Sequence, residues 1–348
     1  MKSVLVCAVQ APFVVGGAEI LTGELAQSLK RRGFRVDVAS VPFKWYPVSE
    51  IVRQALAWRL LDVTESNGEA VDLVIPTKFP SYLVRHPNKV AWLFHQHREA
   101  YDLHGTRFGS FSALPEDQAV RASIHAMDGA ALSECRRIFT ISKNVARRLL
   151  QWNGIEAEAL YPPPQHQGLY RDGAAGDYLF YAGRLDRLKR LDLVIDALAR
   201  AGAPVKLRIA GRGPLEPELR KQIARLGVQD RVELMGFVPV ADLVALYAGC
   251  RAAVYAPLNE DYGYVTVEAF LSKKPVLTCD DSGGPLEFVA DGASGIVSAA
   301  DPEALALGMR RLYELDGARL REMGELGHAT VKGINWEHVL DRLTETLA

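Results

Sequence analysis

The sequence predicts an α/β protein made of two doubly wound parallel-sheet domains. Three observations carry that reading. At 348 residues the chain is too long for one ordinary core. Short apolar runs alternate with helical patterns along both halves, as in parallel strands joined by helical crossovers. Between the halves stands Tyr161-Pro162-Pro163-Pro164, which can be neither helix nor central strand and reads as a hinge. The expected domains are therefore residues 1–164 and 165–334, followed by a C-terminal helix in 335–348.

The elements follow in order. Lys2–Val9 is a continuous apolar run of the buried-strand kind. A loop Gln-Ala-Pro-Phe-Val-Val-Gly-Gly precedes a helix over Ala18–Arg32, which Gly33 ends. Arg35–Ser40, Leu73–Pro76, Val90–Phe94 and Arg137–Thr140 read as further strands. Val48–Leu61, Pro115–Leu132 and Lys143–Trp152 read as helices. Past the prolines the alternation restarts. Strands are expected at Tyr178–Tyr181, Val205–Ala210, Val232–Met235, Ala252–Tyr255 and Val276–Thr278. Helices are expected at Arg190–Ala201, Glu216–Leu226, Val240–Ala248, Tyr264–Ser272 and Trp336–Leu347. In such sheets ligands bind beyond the C-terminal strand ends.

Composition sets the class. With 49% apolar and 24% charged residues, the chain has the make-up of a soluble globular protein. The net charge of −1 gives no indication of a nucleic-acid partner. Residues 1–164 carry 19 basic against 16 acidic side chains, and the remainder 22 against 26. A mildly basic first half fits an anionic surface, and ordinary scatter is the competing account. Cys7, Cys135, Cys250 and Cys279 are dispersed in apolar settings, so buried thiols and a reducing compartment are expected. No signal segment or membrane-length apolar run is visible. The histidines and cysteines form no zinc spacing, and there is no Asp-x-Asp metal clip.

The chemistry concentrates after the strands of the second half. Glu260-Asp-Tyr-Gly-Tyr-Val-Thr-Val-Glu268 places two glutamates eight positions apart. Gly263 permits a tight turn, and the helix from Tyr264 aims its first N–H groups at any anion there. Arg184 and Lys189, in Gly-Arg-Leu-Asp-Arg-Leu-Lys, suit a diphosphate, although dispersed surface charge is the other reading. Gly211-Arg-Gly, Met235-Gly-Phe and Asp280-Asp-Ser-Gly-Gly-Pro follow other strands. Asp280 and Asp281 read as turn formers. In the first half, Trp92-Leu-Phe-His-Gln-His-Arg follows an apolar strand. The first strand is not followed by Gly-x-Gly-x-x-Gly, against an ordinary NAD domain.

Together these residues resemble retaining glycosyltransferases of family 4. The Glu-x7-Glu spacing is the most specific mark, and Gly-Arg-Leu-x-x-x-Lys and Gly-Gly-Pro support it. The resemblance implies the GT-B fold, two Rossmann-like domains facing across a cleft, with an acceptor domain first, a donor domain second and a last helix crossing back. It also implies the roles. Arg184 and Lys189 bind the donor diphosphate and stabilise the leaving nucleotide. Glu268 holds the ribose, and Glu260 orients the donor sugar. Gly263, Tyr264 and Val265 meet the distal phosphate. Gly16 and Gly17 close over phosphate and sugar. His95 stands near the donor sugar, with His97 as competitor. Arg190 departs from the family's usual glycine and offers a third cation.

The expected reaction moves a sugar from a UDP- or GDP-linked donor to a hydroxyl of a glycan or lipid-linked saccharide, as in surface polysaccharide assembly. No cofactor or metal is required. Departure of the diphosphate through an oxocarbenium-like state needs charge stabilisation above all. The paired glutamates otherwise suggest a glycosidase, against which the cationic loop and helix start argue. An epimerase, a phosphorylase or a non-catalytic scaffold would share the frame. The expected location is cytoplasmic, with peripheral contact at the inner membrane face. Arg136, Arg137, Arg147 and Arg148 are the residues that would approach an anionic membrane, whereas Val41–Val48 with its aromatics either meets a lipid-linked or oligosaccharide acceptor or is a packed aromatic loop.

Overall fold

The computed structural model describes residues 1–13 and 16–347. Val14 and Val15, in the expected glycine loop, lie outside the described residues. The chain divides into two compact units, 1–165 with 334–348, and 166–333.

The first unit begins with β1 (Ser3–Gln10), α1 (Gly17–Arg31) and β2 (Arg35–Pro42). Two short helices follow, α2 (Ile51–Ala55) and α3 (Ala57–Leu60), where the sequence suggested one helix over Val48–Leu61. Tertiary contacts explain the break: the α3 turn buries Trp58 completely and sets Arg59 on the Leu83 carbonyl and the Glu134 carboxylate. Next come a small hairpin, β3 (Glu65–Ser66) and β4 (Glu69–Ala70), and the core strands β5 (Leu73–Pro76) and β6 (Val90–Leu93). Then follow α4 (Pro115–Ser133), β7 (Arg137–Thr140), α5 (Lys143–Asn153) and β8 (Glu158–Ala159). The parallel order is β2-β1-β5 and β6-β7-β8, linked where Val74 pairs with Lys89. Every residue of β5 and β6 is buried, which is why both read as unbroken apolar runs.

The second unit contains β9 (Leu179–Ala182), α6 (Leu191–Ala201), β10 (Leu207–Ala210) and α7 (Glu216–Leu226). It continues with β11 (Val232–Gly236), α8 (Val240–Gly249), β12 (Ala252–Val254), α9 (Tyr264–Leu271) and β13 (Val276–Cys279). The sheet does not end there, as the sequence reading had it. β14 (Gly295–Ser298) adds a sixth strand, followed by α10 (Pro302–Glu314) and α11 (Gly317–Val331). The order is β11-β10-β9-β12-β13-β14, all parallel. The chain adds strands outward in one direction from β9 and in the other from β12, so the strand order switches between these two neighbours. The loops that leave these two neighbours diverge and open a crevice at their C-terminal ends.

α12 (Trp336–Leu343) belongs to the first unit, where its Trp336 ring packs edge-on to Trp92 at 6.0 Å. Asn335 caps it, accepting from the His338 N–H at 2.9 Å. Among the described residues, no helix is long and apolar enough to cross a membrane. Cys7, Cys250 and Cys279 are buried free thiols, whereas Cys135 is partly exposed, short of the burial its setting suggested.

Candidate donor site

The crevice between β9 and β12 receives its charged groups from the two loops that flank it. Past β9, Arg184 is exposed to solvent, and its carbonyl accepts the Tyr181 hydroxyl at 3.0 Å. Among the described residues it has no ion-pair partner. Asp186 then caps a single turn, accepting from the Leu188 N–H at 3.1 Å, and this turn aims Lys189 inward. The Lys189 ammonium donates to Glu260 Oε2 at 2.5 Å. Burial alone would lower the Lys189 pKa. The Glu260 carboxylate, with Tyr181 and Asp186, more than offsets that, and the lysine is held above its ordinary value. Two of the expected site residues thus meet directly.

Arg190 does not supply the third cation that the sequence suggested. It is buried, and its guanidinium makes four hydrogen bonds within the protein. Nε donates to the Ala256 carbonyl at 2.8 Å and Nη2 to the Pro257 carbonyl at 2.7 Å. Asp281 accepts two further bonds, at 2.6 and 2.5 Å. Asp281 is therefore an ion-pair partner as well as a turn residue.

The β12 exit loop is fixed by the loop after β13. The Glu260 N–H donates to the Ser282 carbonyl at 2.8 Å, and the Gly284 N–H donates back to the Glu260 carbonyl at 2.8 Å. Gly263 has φ of +90°, and a Cβ there would lie 2.9 Å from Pro285 Cγ. Only glycine satisfies both demands. α9 starts at the next residue, so Tyr264 and Val265 occupy the positions whose N–H groups face outward from a helix. Glu268 follows one turn later. Its Oε2 accepts the Tyr247 hydroxyl at 2.7 Å, and Tyr170 also bonds to it. Burial raises the Glu268 pKa while the two tyrosine hydroxyls oppose the rise.

The Gly211-Arg-Gly213 turn serves backbone packing. A Cβ on Gly211 would fall 1.8 Å from the Gly183 carbonyl oxygen, so this turn lies directly on the loop that carries Arg184. The Leu185 N–H donates to the Arg212 carbonyl at 3.0 Å and seals the contact.

The first unit gathers its own group beyond β1, β5 and β6. Gly16 caps α1, its N–H donating to Glu19 Oε2 at 2.9 Å, and Gly17 is exposed. Glu19 also receives Lys78 Nζ at 2.9 Å. Lys78 pairs as an isolated bridge with His95, whose Nδ1 lies 2.7 Å from the Gln96 carbonyl. His97 differs in kind. Its ring packs on Phe79 and Phe111 at 5.3 and 6.0 Å, and burial drives its pKa down to about 4. It is a neutral packing residue near pH 7.

Sequence reasoning missed Lys78, the Arg190–Asp281 pair and the tyrosines on Glu268. No local motif marks them, since their partners lie 20 to 90 positions away or more. Among the described residues no group of three or more His, Cys, Asp or Glu side chains is placed to hold a metal.

Two Rossmann-like α/β units define the GT-B fold. Residues 174–328 match the family described as "Glycosyl transferases group 1". The chain is a glycosyltransferase of the GT-B fold related to that family. It is 24% identical to an uncharacterised glycosyltransferase of Methanocaldococcus jannaschii, over 97% of this chain and 96% of that one. It is 28% identical to a D-inositol 3-phosphate glycosyltransferase of Nocardia farcinica, over 62% of this chain, and the match spans about half of that protein, 53%. Its fold is similar to that of Anabaena HepE in complex with UDP and glucose, with a TM-score of 0.72, 20% identity and 99% of each chain covered.

Proposed function

We propose that the enzyme moves a hexose from a nucleoside-diphosphate sugar to a hydroxyl of a saccharide or lipid-linked acceptor, with retention at the anomeric carbon. The observation that carries this reading is the Lys189–Glu260 pair set beside the start of α9, with Arg184 exposed on the neighbouring loop. An ammonium, an exposed guanidinium and a helix N-terminus are carried by the loops that leave the neighbouring strands β9 and β12, an arrangement suited to an anion.

The bond from the anomeric carbon to the phosphate oxygen breaks, and its electron pair stays on the departing diphosphate. Arg184, Lys189 and the amides of Gly263, Tyr264 and Val265 stabilise that growing charge. The acceptor oxygen bonds to the anomeric carbon on the same face and gives its proton to the departing phosphate. Glu260 orients the sugar through Lys189, and Glu268 accepts from the ribose hydroxyls. The first donor to test is UDP-glucose, since the similar HepE structure holds UDP and glucose. Incubation with UDP-glucose or a GDP-sugar and an acceptor panel releases the nucleoside diphosphate and gives an α-linked product by NMR. Donor binding without transfer to any acceptor, or a β-linked product, overturns the reading.

Peripheral membrane contact is part of the proposal. Trp45 and Tyr46 are exposed, with Lys44 over the Tyr46 ring and Leu56 and Leu60 also exposed, whereas Phe43 is buried. The arginines are less suited than the sequence suggested: Arg148 is buried on Asp102, and Arg136 donates to the Pro87 carbonyl. Co-sedimentation with anionic vesicles should fall when Trp45 and Tyr46 are both replaced by serine. Unchanged co-sedimentation removes this face from the proposal.

A further inference from the structure

We infer that Arg190 is a positioning residue for the donor site: it ties together the loops that carry Lys189 and Glu260, and it neutralises Asp281 beside them. The inference rests on the reading that Lys189 and Glu260 face the donor.

Arg190 has φ of +51°, in the left-handed region that side chains other than glycine rarely adopt. The conformation is held by what the side chain does. The guanidinium reaches Ala256 and Pro257 at the exit of β12 and Asp281 in the loop after β13, so one side chain spans three strand-end loops. Lys189 is its chain neighbour, and Glu260 stands just past Pro257. Backbone bonds reinforce the same junction, from the Leu258 N–H to the Leu188 carbonyl and from the Asn259 N–H to the Asp281 carbonyl, each 2.8 Å. The planar fork of arginine suits this combination of carboxylate and carbonyls, which lysine cannot bridge at once.

The charge matters separately. Asp281 is an acidic group in the loop that brackets Glu260, close to where the donor's diphosphate is proposed to sit. Paired with Arg190 it is neutral in effect. Unpaired, it would repel the diphosphate, and with 37% of its side chain exposed only part of that repulsion would be screened.

Replacing Arg190 with glycine keeps the backbone conformation, because glycine accepts positive φ. Steady-state kinetics with the nucleotide sugar should then show donor KM raised about tenfold or more, and kcat lowered by less. Adding Asp281→Asn to Arg190→Gly should recover about half of that loss on a logarithmic scale, since it removes the uncovered charge but restores no tie. Arg190→Lys should fall between wild type and Arg190→Gly. If Arg190→Gly melts well below the wild type, Arg190→Lys is read by the same criterion. A donor KM within about twofold of wild type, in an enzyme where Lys189→Ala raises it strongly, overturns the inference alone. So does a double variant no better than Arg190→Gly. If Lys189→Ala leaves donor KM unchanged, the donor-site reading fails and the inference falls with it.

Discussion

The Lys189 ammonium lies 2.5 Å from the Glu260 carboxylate, and both side chains are more than four-fifths buried. Neither group is therefore set by its own loop alone. Glu260 keeps Lys189 charged against its burial, and its loss lowers the lysine pKa. In Glu260→Gln the alkaline limb of the kcat/KM profile should move to lower pH. An unmoved limb shows that Lys189 charge does not govern donor turnover.

The same logic applies to Glu268, where Tyr247 donates at 2.7 Å and Tyr170 adds a second bond. Removing the Tyr247 hydroxyl leaves Glu268 less firmly oriented. Tyr247→Phe should raise donor KM by about tenfold or more, the usual worth of one hydrogen bond to a charged group. The penalty should shrink with a 2′-deoxyribose donor, which no longer uses the carboxylate fully. An equal penalty with both donors places Glu268 away from the ribose.

At Gly263 both backbone and space are restricted. Alanine would have to hold φ of +90° with its Cβ 2.9 Å from Pro285 Cγ. Gly263→Ala should lower stability by about 1–3 kcal/mol, as left-handed strain commonly does, and should lower turnover because α9 shifts. Calorimetry and the donor assay check the two effects independently. A variant with wild-type stability would show that the turn has another conformation open to it.

Asp128 gives the first unit a pH dependence. It is fully buried, accepts the Tyr101 hydroxyl at 2.7 Å, and burial raises its pKa from 3.8 to about 7. The native state thus keeps a proton that the unfolded chain gives up above pH 3.8. The stability this proton confers is complete below that value and disappears as pH rises through about 7. Asp128→Asn stays neutral throughout and still accepts from Tyr101. Its melting temperature relative to wild type should therefore climb between about pH 4 and 7, at ~1.4 kcal/mol per fully titrated unit. A difference independent of pH would show that Asp128 ionises freely in the native state.

Much of this was legible in the sequence because the relevant signals are local. Buried parallel strands such as Leu73–Pro76 read as apolar runs, and Glu216–Leu226 is bounded by a Pro at its start and Gly227 at its end. β14 was missed because Gly295–Ser298 is short and lies among polar turn residues. α10 was missed although Asp301 and Pro302 form a regular helix start. The charged groups of the site were named from their motif, but their pairings were not. That Lys189 meets Glu260, or that Arg190 turns inward to Asp281, depends on which strands become neighbours. β9 and β12 lie side by side, Leu179 pairing with Ala252 although they are 73 positions apart, the kind of long-range relation that no local pattern encodes.

The return of α12 to the first unit has a consequence for biosynthesis. Residues 1–165 of that unit are made first, but Trp336 reaches Trp92 only after all of residues 166–333 have been made. During translation the second unit can fold as a continuous stretch, whereas the first waits, part of its apolar surface around Trp92 still uncovered. A chain cut short just after residue 333 would leave the early-made unit incomplete and the later-made one whole. Quality control acting on such a product would find its exposed surface around Trp92, far in sequence from the place where synthesis stopped.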